Sequence, residues 1–359
     1  MNRIHRLYEI GGQSPWLDHL RRDHLEDGTI ASLISRGVRG LTSNPAIVEA
    51  ALKATSAYDA EILIAARQER SSEDVFWDVA CEDVSRAADL LAEMYRSSEG
   101  SDGFVSIEVD PRLAHDSDGT IDQAERLWTR LNRPNVMIKV PATESGVVAS
   151  EELIARGINV NVTLIFGLDR YDEVMGAHIR GVRRLAASQP HAVRHVASVA
   201  SFFISRVDAV LDPHLPETLR GRTAIAQASM AWRRWRDRYS DHEWTRLANL
   251  SPRPQRPLWA STSTKNPTFN DTVYVDSLVA PGTVNTMPLA TLLAFDDHGS
   301  TEPAIERNYP ETTATWENLT RQVDVRSTVE KLEHDGVAAF ASSIVSAIAA
   351  LATKMSAVR

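Results

Sequence analysis

Eight short apolar segments recur along the chain, and each is followed by a stretch with helical spacing of its apolar residues. The segments are rich in β-branched residues, which favour buried strands. Strand and helix alternating in this way, with no break in composition, predict one α/β domain over residues 1–359, folded as a (β/α)8 barrel. The predicted strands cover residues 14–18, 38–44, 104–110, 136–143, 158–166, 195–203, 257–263 and 283–288.

A doubly wound open sheet is the alternative architecture for such an alternation. That fold normally carries a glycine-rich turn, G-x-G-x-x-G, after an early strand, because the backbone must approach a bound nucleotide closely. The chain has no such turn. The barrel is therefore the favoured fold.

Two stretches are longer than ordinary connections between a strand and a helix. Residues 211–256 are predicted to hold an insert of extra helices, and residues 289–359 to form C-terminal helices that pack on the outside of the barrel. Between the third and fourth strands, "TIDQAERLWTRLN" is predicted to begin a helix with Thr120 as its N-cap. The helix in "SGVVASEELIARG" is predicted to end at Gly157.

The composition excludes several classes of protein. The net charge of -9 argues against a nucleic-acid or membrane-surface partner, since both require a basic face. Cys81 is the single cysteine, so no internal disulfide and no cysteine-based zinc site can form, and we expect no metal. The first residues show no signal peptide, and no stretch approaches the twenty apolar residues of a membrane span. We therefore expect a cytoplasmic protein.

The central strands carry an unusual polar face. In "FVSIEVD", "VMIKVP" and "INVNVTLIF", alternate residues are apolar, which suits contact with surrounding helices. The opposite face carries Glu108, Lys139, Asn161 and Thr163 and must point into the barrel. An interior built only for packing would consist of branched aliphatic residues. Because these polar residues fall toward the C-terminal strand ends, they predict an active site there.

Lys139 lies in the middle of a buried strand, where lysine is rarely found unless it is paired or used in chemistry. Burial favours the neutral amine, which attacks carbonyl groups and forms an iminium that withdraws electrons from the neighbouring carbon–carbon bond. Such chemistry needs carboxylates to move protons, and Glu108 and Asp18 are the candidates. The alternative is a structural ion pair between Lys139 and Glu108.

These segments resemble the transaldolases, specifically the longer bacterial type. The resemblance runs through "GQSPWLDHL", "VRGLTSNPAI", "DGFVSIEVDP", "RPNVMIKVPAT", "GINVNVTLIF", "SVASFFISRVD", "RPLWASTSTKNP" and "TVNTMP". It implies a barrel enzyme that works through a lysine Schiff base, without metal or organic cofactor. It also implies the transfer of a dihydroxyacetone unit from a ketose phosphate donor to an aldose phosphate acceptor. The usual reaction converts sedoheptulose 7-phosphate and glyceraldehyde 3-phosphate into erythrose 4-phosphate and fructose 6-phosphate.

The resemblance also implies catalytic roles for four residues. Lys139 of "MIKVPAT" matches the Schiff-base lysine. Glu108 of "SIEVDP" matches an acid–base residue that works through a bound water, and Thr163 matches a residue that helps to hold this water. Asp18 of "WLDHL" matches the group that takes a proton from the substrate hydroxyl during cleavage.

Further positions match residues that bind the substrate. One set hydrogen-bonds the dihydroxyacetone unit and the other faces the phosphate, where the long type has a lysine in place of the arginine of short transaldolases. The first set is Asn44, Asn161 and Ser201, and the second is Arg206, Ser263 and Lys265. The alternative for Arg206 is a structural pair with Asp208 or with a helix C-terminus at the barrel rim.

Other functions remain open at the level of the sequence. The chain could be an aldolase that releases free dihydroxyacetone, a transaldolase-like enzyme that builds an unusual sugar phosphate in specialised metabolism, or an inactive barrel kept for binding. A cleaving aldolase tends to exchange the glutamate or to place a tyrosine near it, so Glu108 and Phe203 favour transfer. The intact catalytic set argues against an inactive barrel. The acceptor's chain length, the pathway and the choice between monomer and homodimer are left undecided.

Overall fold

The eight strands form a closed parallel barrel in chain order, in which each strand pairs with the next and the last pairs with the first. This computed structural model describes residues 1–357. The closed barrel confirms the predicted fold and excludes an open, doubly wound sheet. The strands are β1 (Ser14–Asp18), β2 (Gly40–Thr42), β3 (Phe104–Glu108), β4 (Val136–Pro141), β5 (Val160–Ile165), β6 (Ser198–Phe203), β7 (Arg256–Ala260) and β8 (Val284–Met287).

Most of the helices connect the strands and cover the outside of the barrel. The first group is α1 (Arg3–Glu9), α2 (Arg22–Glu26), α3 (Thr29–Ser35), α4 (Pro45–Ala54), α5 (Asp59–Arg67), α6 (Ser72–Leu90), α7 (Ala92–Ser97), α8 (Ser117–Leu131) and α9 (Glu144–Ala155). The second group is α10 (Leu168–Ser188), α11 (Ser205–Leu211), α12 (Thr223–Arg238), α13 (His242–Thr245), α14 (Val273–Ser277), α15 (Leu289–His298), α16 (Ile305–Gln322) and α17 (Val325–Ala357). Short 3-10 turns lie at Pro111–Leu113, Pro190–His195, Asp212–His214, Glu217–Leu219 and Ala248–Leu250.

Most strands are shorter than predicted, because pairing stops where the chain turns toward the next helix. The strand expected over residues 38–44 ends at Thr42, and Asn44 becomes the N-cap of α4. The strand expected over residues 257–263 ends at Ala260, so Ser263 lies in the following loop. Both residues are therefore on loops at the C-terminal face of the barrel, where barrel enzymes bind their substrates.

The predicted start of α8 at Thr120 is wrong. The helix begins at Ser117, and the side chain of Asp116 caps it by accepting from the backbone N–H of Gly119 at 3.0 Å. Thr120 is buried, and its hydroxyl donates to the carbonyl of Leu113 at 3.0 Å. The upstream carboxylate is the better cap because its charge also interacts favourably with the positive end of the helix. Gly157 follows the last turn of α9 with φ +82, as a glycine beyond a helix end should.

Strand register places the polar faces of the central strands side by side. Glu108 on β3 is level with Lys139 on β4, which is level with Asn161 on β5. The regular alternation ends in β5, where the register shifts between Val162 and Ile165 and Leu164 adopts φ +61. A bulky residue in the left-handed region is strained, so the fold holds this bulge in place beside the site.

The last helix, α17, crosses the C-terminal face of the barrel. Gly336 rests on β5, since a Cβ at this position would lie 3.1 Å from Leu164 Cδ2. Farther along, Ile344 and Leu351 join the cluster formed by α4, α5 and α6. By length and composition α17 could cross a membrane, with an 18-residue window of mean hydropathy 1.8 that is 33% buried. The expectation that no stretch approaches a membrane span is wrong for this helix.

The opposite end of the barrel is closed by a buried carboxylate. Asp102, just before β3, accepts from Ser14 at 2.7 Å and pairs with Arg39 at 2.7 Å and Arg256 at 3.1 Å. The guanidinium of Arg39 also stacks on the ring of Tyr8, 3.6 Å from its centroid. These contacts tie β1, β2, β3 and β7 together at their N-terminal ends.

Candidate active site

A cavity of about 190 Å³ opens at the C-terminal ends of the strands. Its walls combine the predicted polar residues with two phenylalanines, one from β6 and one from α17. The lining residues are Asp18, Thr42, Asn44, Ala46, Lys139, Thr163, Ser201, Phe203, Arg206, Ala260, Ser261, Ser263, Lys265, Thr286, Pro288 and Phe340.

Lys139 lies at the bottom of this cavity and is 4% exposed. Its Nζ donates to the carbonyl of Ser43 at 3.2 Å and lies 3.4 Å from Glu108 Oε2. The ring of Phe340 covers it, with the centroid 5.7 Å from Nζ. The amine is thus shielded from solvent but faces a space that a carbonyl carbon can enter.

Glu108 is buried behind Lys139 and has a pKa raised to about 7. Burial is the largest cause, the charge of Lys139 opposes it, and the negative charge of Asp18 raises the pKa further. Neither carboxylate oxygen of Glu108 has a hydrogen-bond partner among residues 1–357, and the same holds for the hydroxyl of Thr163. Near neutral pH this carboxyl group can therefore both donate and accept a proton.

Asp18 ends β1 and reaches the cavity from the other side. Burial raises the pKa of Asp18 above its ordinary value, and Lys139, a hydrogen bond from Thr42 and Arg206 offset this rise only in part. The hydroxyl of Thr42 donates to Asp18 Oδ1 at 2.6 Å and lies 2.7 Å from the hydroxyl of Thr286. Among residues 1–357, Asp18 is thus held by the hydroxyl of Thr42 and forms no direct ion pair with a cation.

Amide and hydroxyl groups line the side of the cavity near β5 and β6. Asn161 donates to the hydroxyl of Ser106 at 3.0 Å and accepts from Ser201 at 2.7 Å, so these buried residues form a fixed row. The oxygen of Asn44 accepts from the backbone N–H of Ile47 at 3.0 Å as the helix cap. The cap uses the amide oxygen, so the amide nitrogen of Asn44 remains available to a ligand.

Two cations, Arg206 and Lys265, face the cavity, and neither forms an ion pair with a carboxylate among residues 1–357. Burial lowers the pKa of Lys265, and the neighbouring Arg206 lowers it further. Lys265 Nζ donates to the hydroxyl of Ser263 at 2.9 Å, and the guanidinium of Arg206 lies 5.2 Å from the ring centroid of Phe203. Like charges placed together in a half-buried site favour the binding of an anion.

The structure does not pair Arg206 with Asp208, which was one of the two structural alternatives. The carboxylate of Asp208 accepts from the backbone N–H of Ala224 and from the hydroxyl of Tyr274, each at 2.8 Å. Within residues 1–357, Arg206 has no carboxylate in ion-pair distance, and Asp18 is the acid that acts on its pKa. The guanidinium of Arg206 is thus partly buried beside the ring of Phe203.

The structure brings all ten predicted site residues to one place. All but Glu108 and Asn161 line the cavity, and those two lie just beneath it, level with Lys139. The sequence patterns did not reveal Thr42, Thr286 and Phe340. The period of two, applied to β2 and β8, could have placed the two threonines on the inner face. Nothing local marks Phe340, because the path of α17 across the barrel is a tertiary feature.

The fold and the site together define an enzyme of the (β/α)8-barrel class, with its reactive groups at the C-terminal strand ends. The family model for transaldolase/fructose-6-phosphate aldolase matches residues 15–351. The chain belongs to this family.

Its curated relatives carry the name transaldolase. A transaldolase of Frankia alni is 44% identical over 342 residues, which cover 92% of each chain. A transaldolase of Mycolicibacterium smegmatis is 44% identical over 342 residues, 92% of this chain. A transaldolase of Neisseria gonorrhoeae is 41% identical over 342 residues, 95% of this chain and 97% of its own length.

Proposed function

We propose that the chain is a transaldolase that moves a dihydroxyacetone unit between sugar phosphates through a Schiff base on Lys139. The donor is sedoheptulose 7-phosphate and the acceptor glyceraldehyde 3-phosphate, as in the pentose phosphate pathway, in the cytoplasm and without a cofactor. The observation that carries the proposal is the buried amine of Lys139, 3.4 Å from Glu108, at the bottom of a cavity with cations at its mouth. Family membership and the names of the relatives support the same reaction.

The chemistry follows from the position of the amine. Lys139 attacks the C2 carbonyl of the ketose, and loss of water leaves an iminium. Asp18 takes the proton of the C4 hydroxyl, the C3–C4 bond breaks, and its electrons move to the nitrogen as an enamine. After the first aldose leaves, the enamine carbon attacks the aldehyde of the second, and Asp18 returns the proton. Hydrolysis of the new iminium releases the product ketose.

Glu108 is suited to the proton transfers that form and hydrolyse the iminium. With a pKa of about 7, the carboxyl group is present in both protonation states at neutral pH. We infer that it acts on the nitrogen and on the departing oxygen through a water held with the hydroxyl of Thr163. The absence of a protein partner for these atoms among the described residues supports this assignment.

The remaining polar residues are assigned to the substrate. Asn44 and Ser201 line the cavity, and Asn161 lies just beneath it, level with Lys139. These three side chains fit the hydroxyl groups of the dihydroxyacetone unit. Arg206, Ser263 and Lys265 lie at the outer end and fit the phosphate, to which an arginine can offer two parallel N–H groups.

Transfer is favoured over release of free dihydroxyacetone by the apolar cover of the site. Phe203 and Phe340 line the cavity and are nearly buried, so water has little access to the enamine between the two half-reactions. Phe203 also offers no hydroxyl to hold a water. Incubation of the enzyme with fructose 6-phosphate alone should give little dihydroxyacetone, and adding erythrose 4-phosphate should start rapid turnover.

The first test removes the nucleophile. Lys139→Ala should abolish transfer, because the covalent route needs the amine. Incubation with fructose 6-phosphate and borohydride should add the mass of the reduced sugar to the wild type only. Loss of the amine and of the charge beside Glu108 costs about 1–3 kcal/mol, which leaves a domain of this size folded.

Lys331→Ala is the matched control, since Lys331 is an exposed lysine on α17 that pairs with Asp335. This variant should keep full transfer and the adduct. A mass adduct or turnover in Lys139→Ala would show that another amine carries the reaction. A wild type that gives neither adduct nor transfer would overturn the proposed function itself.

A further inference from the structure

Thr286 on β8 and Thr42 on β2 make a chain of hydroxyl groups that ends on Asp18. Thr42 donates to Asp18 at 2.6 Å, and the two threonine hydroxyls are 2.7 Å apart. Thr42 is 1% exposed and Thr286 3% exposed, so bulk water does not compete for these bonds. This series of hydrogen bonds joins three strands that are neighbours in the barrel, β8, β1 and β2.

The number of protons available determines which hydroxyl donates in each of these hydrogen bonds. An ionised carboxylate only accepts hydrogen bonds, and a threonine hydroxyl carries a single proton. When Asp18 is ionised, the proton of Thr42 is used on Asp18, so the contact between the threonines must be donated by Thr286. When Asp18 holds a proton, both hydrogen bonds can reverse their direction. Asp18 then donates to Thr42, and Thr42 donates to Thr286.

This reversibility matters for a group that must take a proton and then return it. A lysine or arginine in the place of Thr42 would stabilise only the ionised form of Asp18. Hydroxyl groups can satisfy both forms, and they hold the carboxylate in one orientation throughout. A donated bond from Thr286 also polarises the hydroxyl of Thr42 and strengthens its bond to Asp18.

We propose that Thr286 is a positioning residue for the reaction, which acts through Thr42 to orient Asp18 and to keep it ionised until substrate binds. This inference rests on the proposed function, in which Asp18 takes the proton of the C4 hydroxyl. Thr286 does not need to touch the reacting atoms for this role.

Other charged groups also act on Asp18 and must be held constant in a test. Lys139 on β4 and Arg206 on α11 favour the ionised form, and the carboxyl of Glu108 on β3 disfavours it. In the part of the chain that the structure describes, the hydroxyl of Thr286 is hydrogen-bonded to Thr42 and to none of these three groups. A substitution of Thr286 therefore changes the hydroxyl chain and leaves these charges in place.

The experiment compares Thr286→Val with Thr286→Ser across a range of pH. Valine keeps the shape and removes the hydroxyl, which should raise the pKa of Asp18. The acidic limb of the profile of kcat/KM against pH should then shift to higher pH by about half to one unit. The kcat at neutral pH should fall roughly five- to tenfold. Serine keeps the donor and should restore both values to within about twofold of the wild type.

Thr283→Val is the matched control next to the same strand. Thr283 is fully buried just before the start of β8, where it donates to the carbonyl of Ala280 at 2.6 Å and accepts from Gln13 at 2.8 Å. Its removal should lower the melting temperature but leave the acidic limb where it is in the wild type. Thr42→Val, which removes the direct bond to Asp18, should shift this limb at least as far as Thr286→Val.

Borohydride trapping separates this inference from the proposed function. Imine formation precedes the bond cleavage that needs Asp18, so Thr286→Val should give the same mass adduct with fructose 6-phosphate as the wild type. An unchanged acidic limb with a raised KM would make Thr286 a substrate contact and overturn the inference. A loss of activity that is equal at every pH and accompanied by the same loss of stability as in Thr283→Val would overturn it too.

Discussion

At the scale of single residues, the cations of the candidate site are paired less closely than the buried Arg22. Arg22 meets Asp83 directly at 2.7 Å. In the site, Arg206 has no carboxylate within ion-pair distance among residues 1–357, and Lys139 approaches Glu108 only to 3.4 Å. Desolvated groups with unused hydrogen-bonding capacity destabilise a fold unless a ligand satisfies them. We infer that the substrate does so here.

Arg206→Ala should lower kcat/KM for phosphorylated substrates by roughly ten- to a hundredfold, since a charge-assisted contact to a phosphate contributes about 1.5–3 kcal/mol. The slow turnover of a donor without phosphate should barely change, because that sugar never had the contact. Steady-state kinetics on fructose 6-phosphate and on fructose measure the two effects.

Two variants control this experiment. Arg206→Lys keeps the charge but loses the paired N–H groups, so its kcat/KM should lie between the wild type and the alanine variant. Arg222→Ala removes an exposed arginine that pairs with Glu311 at 3.5 Å and should have no effect. Equal losses on the phosphorylated and the free sugar in Arg206→Ala would place Arg206 away from the phosphate.

At the scale of elements, α17 completes a site that the barrel alone leaves open. Gly336 lets the helix approach the strained bulge of β5, and Phe340, one turn later, covers Lys139. A glycine inside a helix costs about 1 kcal/mol relative to alanine. The close contact with Leu164 leaves little room for a larger residue at this position.

Gly336→Leu should displace α17 and move Phe340 from the cavity. A Cβ added at this position would lie 3.1 Å from Leu164 Cδ2 and 3.4 Å from Phe166 Cε2, so a leucine side chain requires these groups or the helix to move. We expect a loss of about 1–3 kcal/mol of stability and a fall in kcat/KM of roughly tenfold. Thermal unfolding and transfer kinetics measure both. Ala338→Leu, at an exposed position of the same helix, should change neither. Wild-type kinetics in Gly336→Leu would mean that α17 does not shape the site.

At the scale of the whole molecule, stability and chemistry occupy opposite ends of the barrel. The N-terminal end is closed by the fully paired Asp102, whereas the C-terminal end holds the underpaired groups of the site. In barrels of this class the C-terminal face carries the catalytic residues, so the other face can be optimised for packing alone. Substitutions at the N-terminal end should therefore change stability without changing kcat, whereas substitutions in the site should change kcat or KM.

Asp102→Asn should destabilise the protein without changing its chemistry. Arg39 and Arg256 would then lie close together without a balancing charge, at a cost of about 2–4 kcal/mol after allowance for their partial exposure. The melting temperature should fall by about 3–5 °C, and kcat below that temperature should stay at the wild-type value. Asp89→Asn, in the exposed pair with Arg133, should shift the melting temperature far less. A reduced kcat at an unchanged melting temperature would refute the separation.

The barrel, the order of its strands and the polar face at its centre could all be predicted from the sequence alone. Alternation with period two is a local property, so it is enough to place Glu108, Lys139 and Asn161 on the same side of their strands. Register then brings them level, because parallel strands in chain order offer little freedom. The resemblance to transaldolases gave Asp18 its specific role and added the residues of the loops, whose positions no local pattern could fix.

The hydrogen bonds, pKa values and solvent exposure of these site residues depend instead on contacts between distant parts of the chain. The pKa of about 7 for Glu108 arises from burial and from two charges on other strands. The hydroxyl chain from Thr286 to Asp18 joins residues far apart in sequence, and Phe340 reaches Lys139 from a helix at the end of the chain. Desolvation and hydrogen bonding depend on every neighbour in space, whereas periodicity depends only on neighbours in the chain. For this reason the sequence identified the reactive groups, and the fold set their protonation and their access to substrate.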